Sequence, residues 1–222
     1  MSESFLNTTD YTTLELVLFL IGCYAWVIIY AVYIRNIRKY KFIEMPVFAG
    51  AGNIAWEFLW SFFFRPDLGL AFVWAYRGWF ILDLYIFYSI LKDGDKQVFI
   101  PTLKKYYLPV MIFVTLSWIA IFYFFTKEGY DTSIGANSAF SLNLLISGLY
   151  ILLFFKVPSA DPMSYFVAWL KMIATFTNTI FLFLHYPDNH FVQTIGVLMF
   201  ILDNAYIYLL TQHRRKRALA PA

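Results

Sequence analysis

The tetrapeptide FILD occurs twice in this chain, as Phe80-Ile81-Leu82-Asp83 and as Phe200-Ile201-Leu202-Asp203, each time inside a long apolar run. A third apolar run, AGNIAWEFLW, carries Asn53, Trp56, Glu57 and Trp60. Acids at membrane depth are costly, and by default they face inward and serve a function. An apolar surround disfavours the charged carboxylate, so such an acid can hold a proton at neutral pH and deliver it to a ligand. Trp79, Tyr85, Tyr88, Tyr206 and Tyr208 flank the same acids. Aromatic faces stabilise cations, so the set suits chemistry through a carbocation, with plain packing as the other reading.

Further polar residues fall in the apolar segments. Lys171, Thr175, Asn178 and His185 recur at helical spacing, and Asn137, Ser141 and Asn143 share another segment. His190, Gln193 and Asn204 lie on one face of the last segment, beside Asp203. Singly, such residues often do no more than bond helices together. Three acids with an amide set exceed that need. Glu57, Asp83 and Asp203 are therefore the candidate catalytic residues. Candidate substrate contacts are Asn53, Trp56, Trp60, Arg77, Trp79, Asn137, Asn178, Asn204 and Tyr206. Arg77 has a second reading as an ion-pair partner of Glu57, and Arg77 and Lys171 can also snorkel toward an interface.

The elements that must position these residues follow from composition. With 61% hydrophobic and 14% charged residues in 222, the chain reads as a polytopic membrane protein and not as a soluble domain. A span needs roughly 20 mostly apolar residues. Seven candidates lie near Thr13–Ile34, Pro46–Phe64, Leu70–Leu91, Tyr106–Phe125, Ile134–Phe155, Met163–His185 and Phe191–Thr211. Alternate connections collect the basic residues: Arg35 to Lys41, Lys92 to Lys105, Lys156, and Arg214 to Arg217. The opposite side holds Arg65 and Lys127. The positive-inside rule places the N-terminus outside and the C-terminus in the cytosol. The expected fold is all-α, one domain over residues 1–222. The basic residues are explained by topology, so no nucleic-acid partner is implied. A single cysteine, Cys23, excludes an intrachain disulfide and a cysteine metal cluster. The first twelve residues lack a basic leader, so no cleavable signal is expected. Asp93-Gly94-Asp95, between Lys92 and Lys96, reads as a solvated turn.

Extending the tetrapeptide gives WFILDLYIFY beside MFILDNAYIY. Both segments run from outside to inside, so spans one to three and five to seven are candidate parallel repeats around span four. At about 1.5 Å per residue, Glu57 lies roughly 17 Å from the cytosolic end of its span, and Asp83 and Asp203 roughly 12 Å from theirs. Side chains lean toward their helix N-termini. Span two runs opposite to spans three and seven, so this lean lets the three carboxyls converge.

Seven spans with Trp56-Glu57 on the second, Leu82-Asp83 on the third and Leu202-Asp203 on the seventh resemble the small membrane-integrated terpene cyclases of fungal meroterpenoid and indole-diterpenoid pathways and their bacterial relatives. The resemblance implies protonation of a terminal epoxide, or an alkene, on a prenyl chain attached to an aromatic or heterocyclic group, followed by a cation–olefin cascade. It implies that Glu57 and Asp203 are the key acids, with Asp83 beside them; the residue chemistry then suggests Glu57 as general acid, with Asp203 and Asp83 orienting and reprotonating it or accepting a terminating proton. No cofactor or metal is expected, since no diphosphate is ionised. The implied partners are a prenylated, epoxidised aromatic molecule and the bilayer, in a bacterial inner membrane or endoplasmic reticulum.

Two other classes share seven spans and buried acids. A retinal protein needs a Schiff-base lysine on its last helix, where this chain reads LDNAYIYLL. A proton-coupled small-molecule transporter with an acidic relay fits better and is the main alternative. Transporters often break their site helices with Gly or Pro, and the interiors of spans two, three and seven lack proline.

Overall fold

A computed structural model describes residues 4–98, 100–157 and 162–219. Among them the regular structure is helical: α1 (Thr13–Tyr40), α2 (Val47–Phe62), α3 (Leu70–Asp93), the short α4 (Pro101–Lys105), α5 (Tyr107–Lys127), α6 (Ala136–Lys156), α7 (Tyr165–His185) and α8 (His190–Leu219). A short 3-10 turn, Gly94–Gln97, follows α3. Asp93 there pairs with exposed Lys96 at 2.5 Å, which is the solvated turn expected.

Among the described residues, six helices, α1, α3 and α5 to α8, are long and apolar enough to cross a membrane. At 16 residues, α2 falls short of the length that a perpendicular crossing needs. It is nevertheless the most enclosed element, since twelve of its residues, Glu57 among them, are buried. At the other extreme, Tyr107, Met111 and Phe122 are the buried residues of α5, and Phe113, Leu116 and Phe124 stand exposed. An apolar exterior on that scale is a lipid-facing surface. The chain is an integral, multi-pass membrane protein.

Local chemistry sets the helix ends. Thr12 caps α1 in a reciprocal capping box with Glu15, and Lys41 closes it in the left-handed region at φ 53°. α1 and α8 outrun their apolar stretches by continuing through Arg35 to Lys39 and Arg214 to Arg217. Ser164 caps α7 through the Val167 N–H, and its own N–H donates to Glu44 Oε1 at 2.8 Å. Gly135 precedes α6 at φ 77°, where a Cβ would also strike the Trp60 indole.

The packing has a two-part pattern. α3 lies against both α1 and α2, and α8 lies against both α6 and α7. α1 packs along α7 and α2 along α6, while α5 packs mainly on α2. At the end of the bundle where α1 begins, the N-terminal segment is laid over the α2–α3 connection. Asn7 donates to the Asp67 carbonyl at 2.8 Å and Tyr11 to the Asp67 carboxylate at 2.5 Å.

Candidate active site

Glu57, on α2, is 3% exposed, and Asp83, on α3, is fully buried. Asn53, one turn before Glu57, brings the two together. Its Nδ2 lies 3.1 Å from Glu57 Oε1 and 3.1 Å from Asp83 Oδ2. The same nitrogen donates to the Tyr30 hydroxyl at 2.6 Å, and that hydroxyl donates to Glu57 Oε1 at 2.6 Å. One oxygen of Glu57 is thus held twice. The other, Oε2, is buried without a hydrogen-bond partner among the described residues, as is Asp83 Oδ1.

Glu57 borders a cavity with about 710 Å³ of empty space. Phe19, Trp26 and Tyr30 of α1 line one side, with Asn53 and Trp56 of α2 and Tyr76 and Trp79 of α3 beside them. Phe140, Leu142 and Asn143 of α6 and Asn178, Phe181 and Leu182 of α7 line the other. The Trp56 ring lies 5.4 Å from that of Tyr76, which stacks on Trp79 at 5.1 Å. Aromatic residues thus make up about half of the lining, with the acid among them.

The wall is fixed unevenly. Trp56 Nε1 donates to Ser138 Oγ at 2.9 Å. Ser138 Oγ donates in turn to Asp131, whose other oxygen accepts the N–H groups of Thr132 and Asn137, each at 2.9 Å, and of Ser138 at 3.3 Å. Burial holds the Asp131 carboxyl above its usual range despite these bonds. Trp79 Nε1 has no partner among the described residues.

Asp203 lies elsewhere. It is 3% exposed and accepts from Lys171 Nζ at 2.6 Å and from Thr175 Oγ1 at 3.0 Å. Lys171, 2% exposed, also donates to Ser147 Oγ at 2.6 Å. None of these four residues lines the cavity. The convergence of three carboxyls therefore reduces to two, because depth along a helix leaves open which neighbour the helix faces. α3 turns Asp83 to α2, and α8 turns Asp203 to α7.

The other candidate residues divide in the same way. Asn53, Trp56, Trp79 and Asn178 line the cavity. Asn178 sits against Gly22 of α1, where a Cβ would strike its carboxamide. Trp60 is buried behind Trp56, with the rings 5.9 Å apart. Arg77 donates to the Ser61 carbonyl at 3.2 Å and lies over the Trp74 ring, rather than pairing with Glu57. Asn137 bridges loops, donating to the Tyr130 carbonyl and accepting from Asn189. Asn204 donates back to the Phe200 carbonyl of its own helix, and Tyr206 packs on Tyr150 at 5.2 Å. Tyr30 was missed, since one tyrosine among 17 carries no spacing signal.

Long apolar helices around a buried carboxyl pair and a cavity with aromatic residues in its lining define an integral, multi-pass membrane protein with an enclosed polar site. The profile of the Pyr4-like transmembrane terpene cyclases matches residues 3–216. The chain belongs to that family. It is 21% identical over 207 residues to a Pyr4-family terpene cyclase, mfmH, of Annulohypoxylon moriforme, covering 87% of this chain and 85% of that protein. It is 36% identical over 77 residues to the terpene cyclase ascF of Acremonium egyptiacum, covering 34% of this chain and 27% of that one. No solved structure matches.

Proposed function

We propose that this terpene cyclase starts its reaction by protonating a terminal epoxide on the prenyl chain of an aromatic or heterocyclic substrate, with Glu57 as the general acid. The observation that carries this reading is Glu57 on the border of the cavity, held through Oε1 by Tyr30 and Asn53, with Oε2 buried and free of hydrogen bonds among the described residues. A carboxyl fixed through one oxygen presents the other to a ligand in a set direction. Protonation opens the oxirane and leaves cationic character at carbon, which the faces of Trp56, Tyr76 and Trp79 stabilise as ring closure proceeds. Loss of a proton at the end of the cascade balances the one delivered, so the conversion is an isomerisation. Asp83, sharing Asn53 with Glu57, is the partner through which the proton returns.

Asp203 acts in this scheme through packing. Its ion pair with Lys171 ties α8 to α7, the helix that carries Asn178 into the cavity. α2 is the seventh membrane-embedded helix, short because the helices around it supply its surroundings. That count, with the basic residues gathered at alternate connections, sets the N-terminus outside and the C-terminus in the cytosol. The matching packing of α3 on α1 and α2 and of α8 on α6 and α7 supports a parallel repeat around α5. Family membership favours the cyclase over the transporter.

The test uses membranes containing the protein and a panel of prenylated aromatics with and without a terminal epoxide. The expected result is a new chromatographic peak isobaric with an epoxide substrate, lost in Glu57→Gln. General acids contribute about 10²- to 10⁴-fold. A peak that survives in Glu57→Gln at wild-type rate assigns the acid to another residue.

A further inference from the structure

A second groove opens on the outer face of the bundle, along the seam between α1 and α3. Tyr24 and Val27 of α1 and Ala75 and Gly78 of α3 border it, around about 790 Å³ of empty space. Tyr24 is 71% exposed, so the groove faces the surface that meets lipid. Its α3 border sets the small residues Ala71, Ala75 and Gly78 among Phe72, Trp79 and Leu82, and a Cβ at Gly78 would meet nothing within 4 Å. From Ala71 to Leu82 it follows roughly 16 Å of helix.

Two contacts join this groove to the cavity. Trp79 lines both spaces, so one indole is the partition between them. Beside it, Phe19 of the cavity wall meets Phe72 of the groove wall, with ring centroids 5.3 Å apart. The two tryptophans of the cavity differ in how they are held. Trp56 is pinned through Ser138 to Asp131. Trp79 is 9% exposed, stacks on Tyr76, and has no hydrogen bond from Nε1 among the described residues. A side chain held by stacking alone swings at lower cost than one whose buried N–H is already bonded.

We propose that the α1–α3 groove is the entry site for the isoprenoid chain of the substrate, taken sideways from the bilayer, and that Trp79 is the gate into the cavity. The argument rests on the cyclase reading. A prenyl chain partitions into the bilayer before it meets protein, and an aqueous mouth would let water reach the cation. The groove supplies an apolar bed long enough for several isoprene units, and it meets the cavity at Trp79. Continuity through Trp79 singles out the substrate chain over a phospholipid acyl chain, which has no cause to follow that path inward.

The test replaces Gly78, where an added Cβ meets nothing within 4 Å, by Leu and by Trp, to fill the groove from outside the cavity. With long-chain substrate in proteoliposomes, kcat/KM is expected to fall about tenfold, with kcat at saturation and the product profile unchanged. In parallel, a farnesyl phenol bearing a chain-end diazirine is photolysed in nanodiscs containing the wild-type protein. The expected label falls on α1 and α3 at Tyr24 to Val27 and Ala75 to Leu82, is displaced by unlabelled prenyl phenol, and is lost in Gly78→Trp. Unchanged kcat/KM in both variants, label on another face, or displacement by phospholipid in equal measure overturns the proposal. Displaceable label in the groove of a protein that cyclises no substrate would retain the isoprenoid site and reject the cyclase reading.

Discussion

The three acids look alike in sequence, and their surroundings separate them. Glu57 and Asp83 meet neutral donors, Tyr30 and Asn53, while Asp203 meets a buried ammonium. A neutral carboxyl among neutral donors can give up its proton to a ligand, and the carboxylate left behind balances the cation formed there. A carboxylate bound to a buried lysine cannot, because losing either charge leaves the other unpaired. This difference predicts a graded response. Glu57→Gln keeps its bonds to Tyr30 and Asn53 and removes the proton, so product formation falls by at least about 10²-fold. Asp83→Asn keeps the contact with Asn53 and leaves Glu57 its proton, so turnover falls less, with single-turnover formation of product nearly retained. Rapid-quench product analysis separates the two. An Asp83→Asn enzyme impaired equally in the first turnover would make Asp83 part of the protonation step. The acids were legible because charge in an apolar run stands out. Tyr30 was not, and the partner of Lys171 depended on which way two helices face.

Elements place these groups through caps, as the cavity wall illustrates. Asp131 gathers the N–H groups of Asn137 and Ser138 at the start of α6, that of Thr132 in the loop before it, and the Ser138 hydroxyl, and Ser138 holds Trp56. Ser138→Ala leaves the buried Trp56 N–H unbonded, costing about 1–3 kcal/mol, and lets the ring turn. The expected outcome is a modest loss of rate with a larger share of prematurely terminated products, read from chromatographic product ratios. An unchanged profile would make Trp56 mere packing. At the basic end, the start of α7 depends on Glu44, between α1 and α2 and 1% exposed. Burial pushes its carboxyl from about 4.5 up to about 8, against the bonds from Ser164 and Asn36. A value raised on folding means that the folded chain binds this proton more tightly. The stability it contributes is complete below about 4.5, declines as pH rises toward 8, and is gone above that. The detergent unfolding midpoint should drop between pH 5 and 8. Glu44→Gln, which keeps an acceptor for Ser164, should remove that slope. Apolar run length made most helices legible. The overrun of α1 and α8 was not, because charged residues continue a helix beyond the bilayer as readily as they end it.

Across the whole molecule, the proposed repeat gives the doubled FILD a physical meaning. In the first half, Asn53 and Glu57, one turn apart on α2, face Asp83 on α3. In the second, Lys171 and Thr175, one turn apart on α7, face Asp203 on α8. In the proposed repeat the two sets are frames that correspond in position, with an amide and an acid in one and a cation and a hydroxyl in the other. The first set borders the cavity, and the second, closed by an ion pair, does not. If the frames are equivalent, an asparagine at 171 can reach Asp203 as Asn53 reaches Asp83 across 3.1 Å. Lys171→Met supplies no donor, and breaking a buried pair in that way costs about 3–5 kcal/mol. Lys171→Asn loses the charge but restores a hydrogen bond of the kind the first half already uses. Its unfolding midpoint should therefore lie between those of Lys171→Met and the wild type, with cyclisation retained. Equal loss in both variants would mean that the two frames differ in geometry, and that the FILD match is a coincidence of two apolar helices.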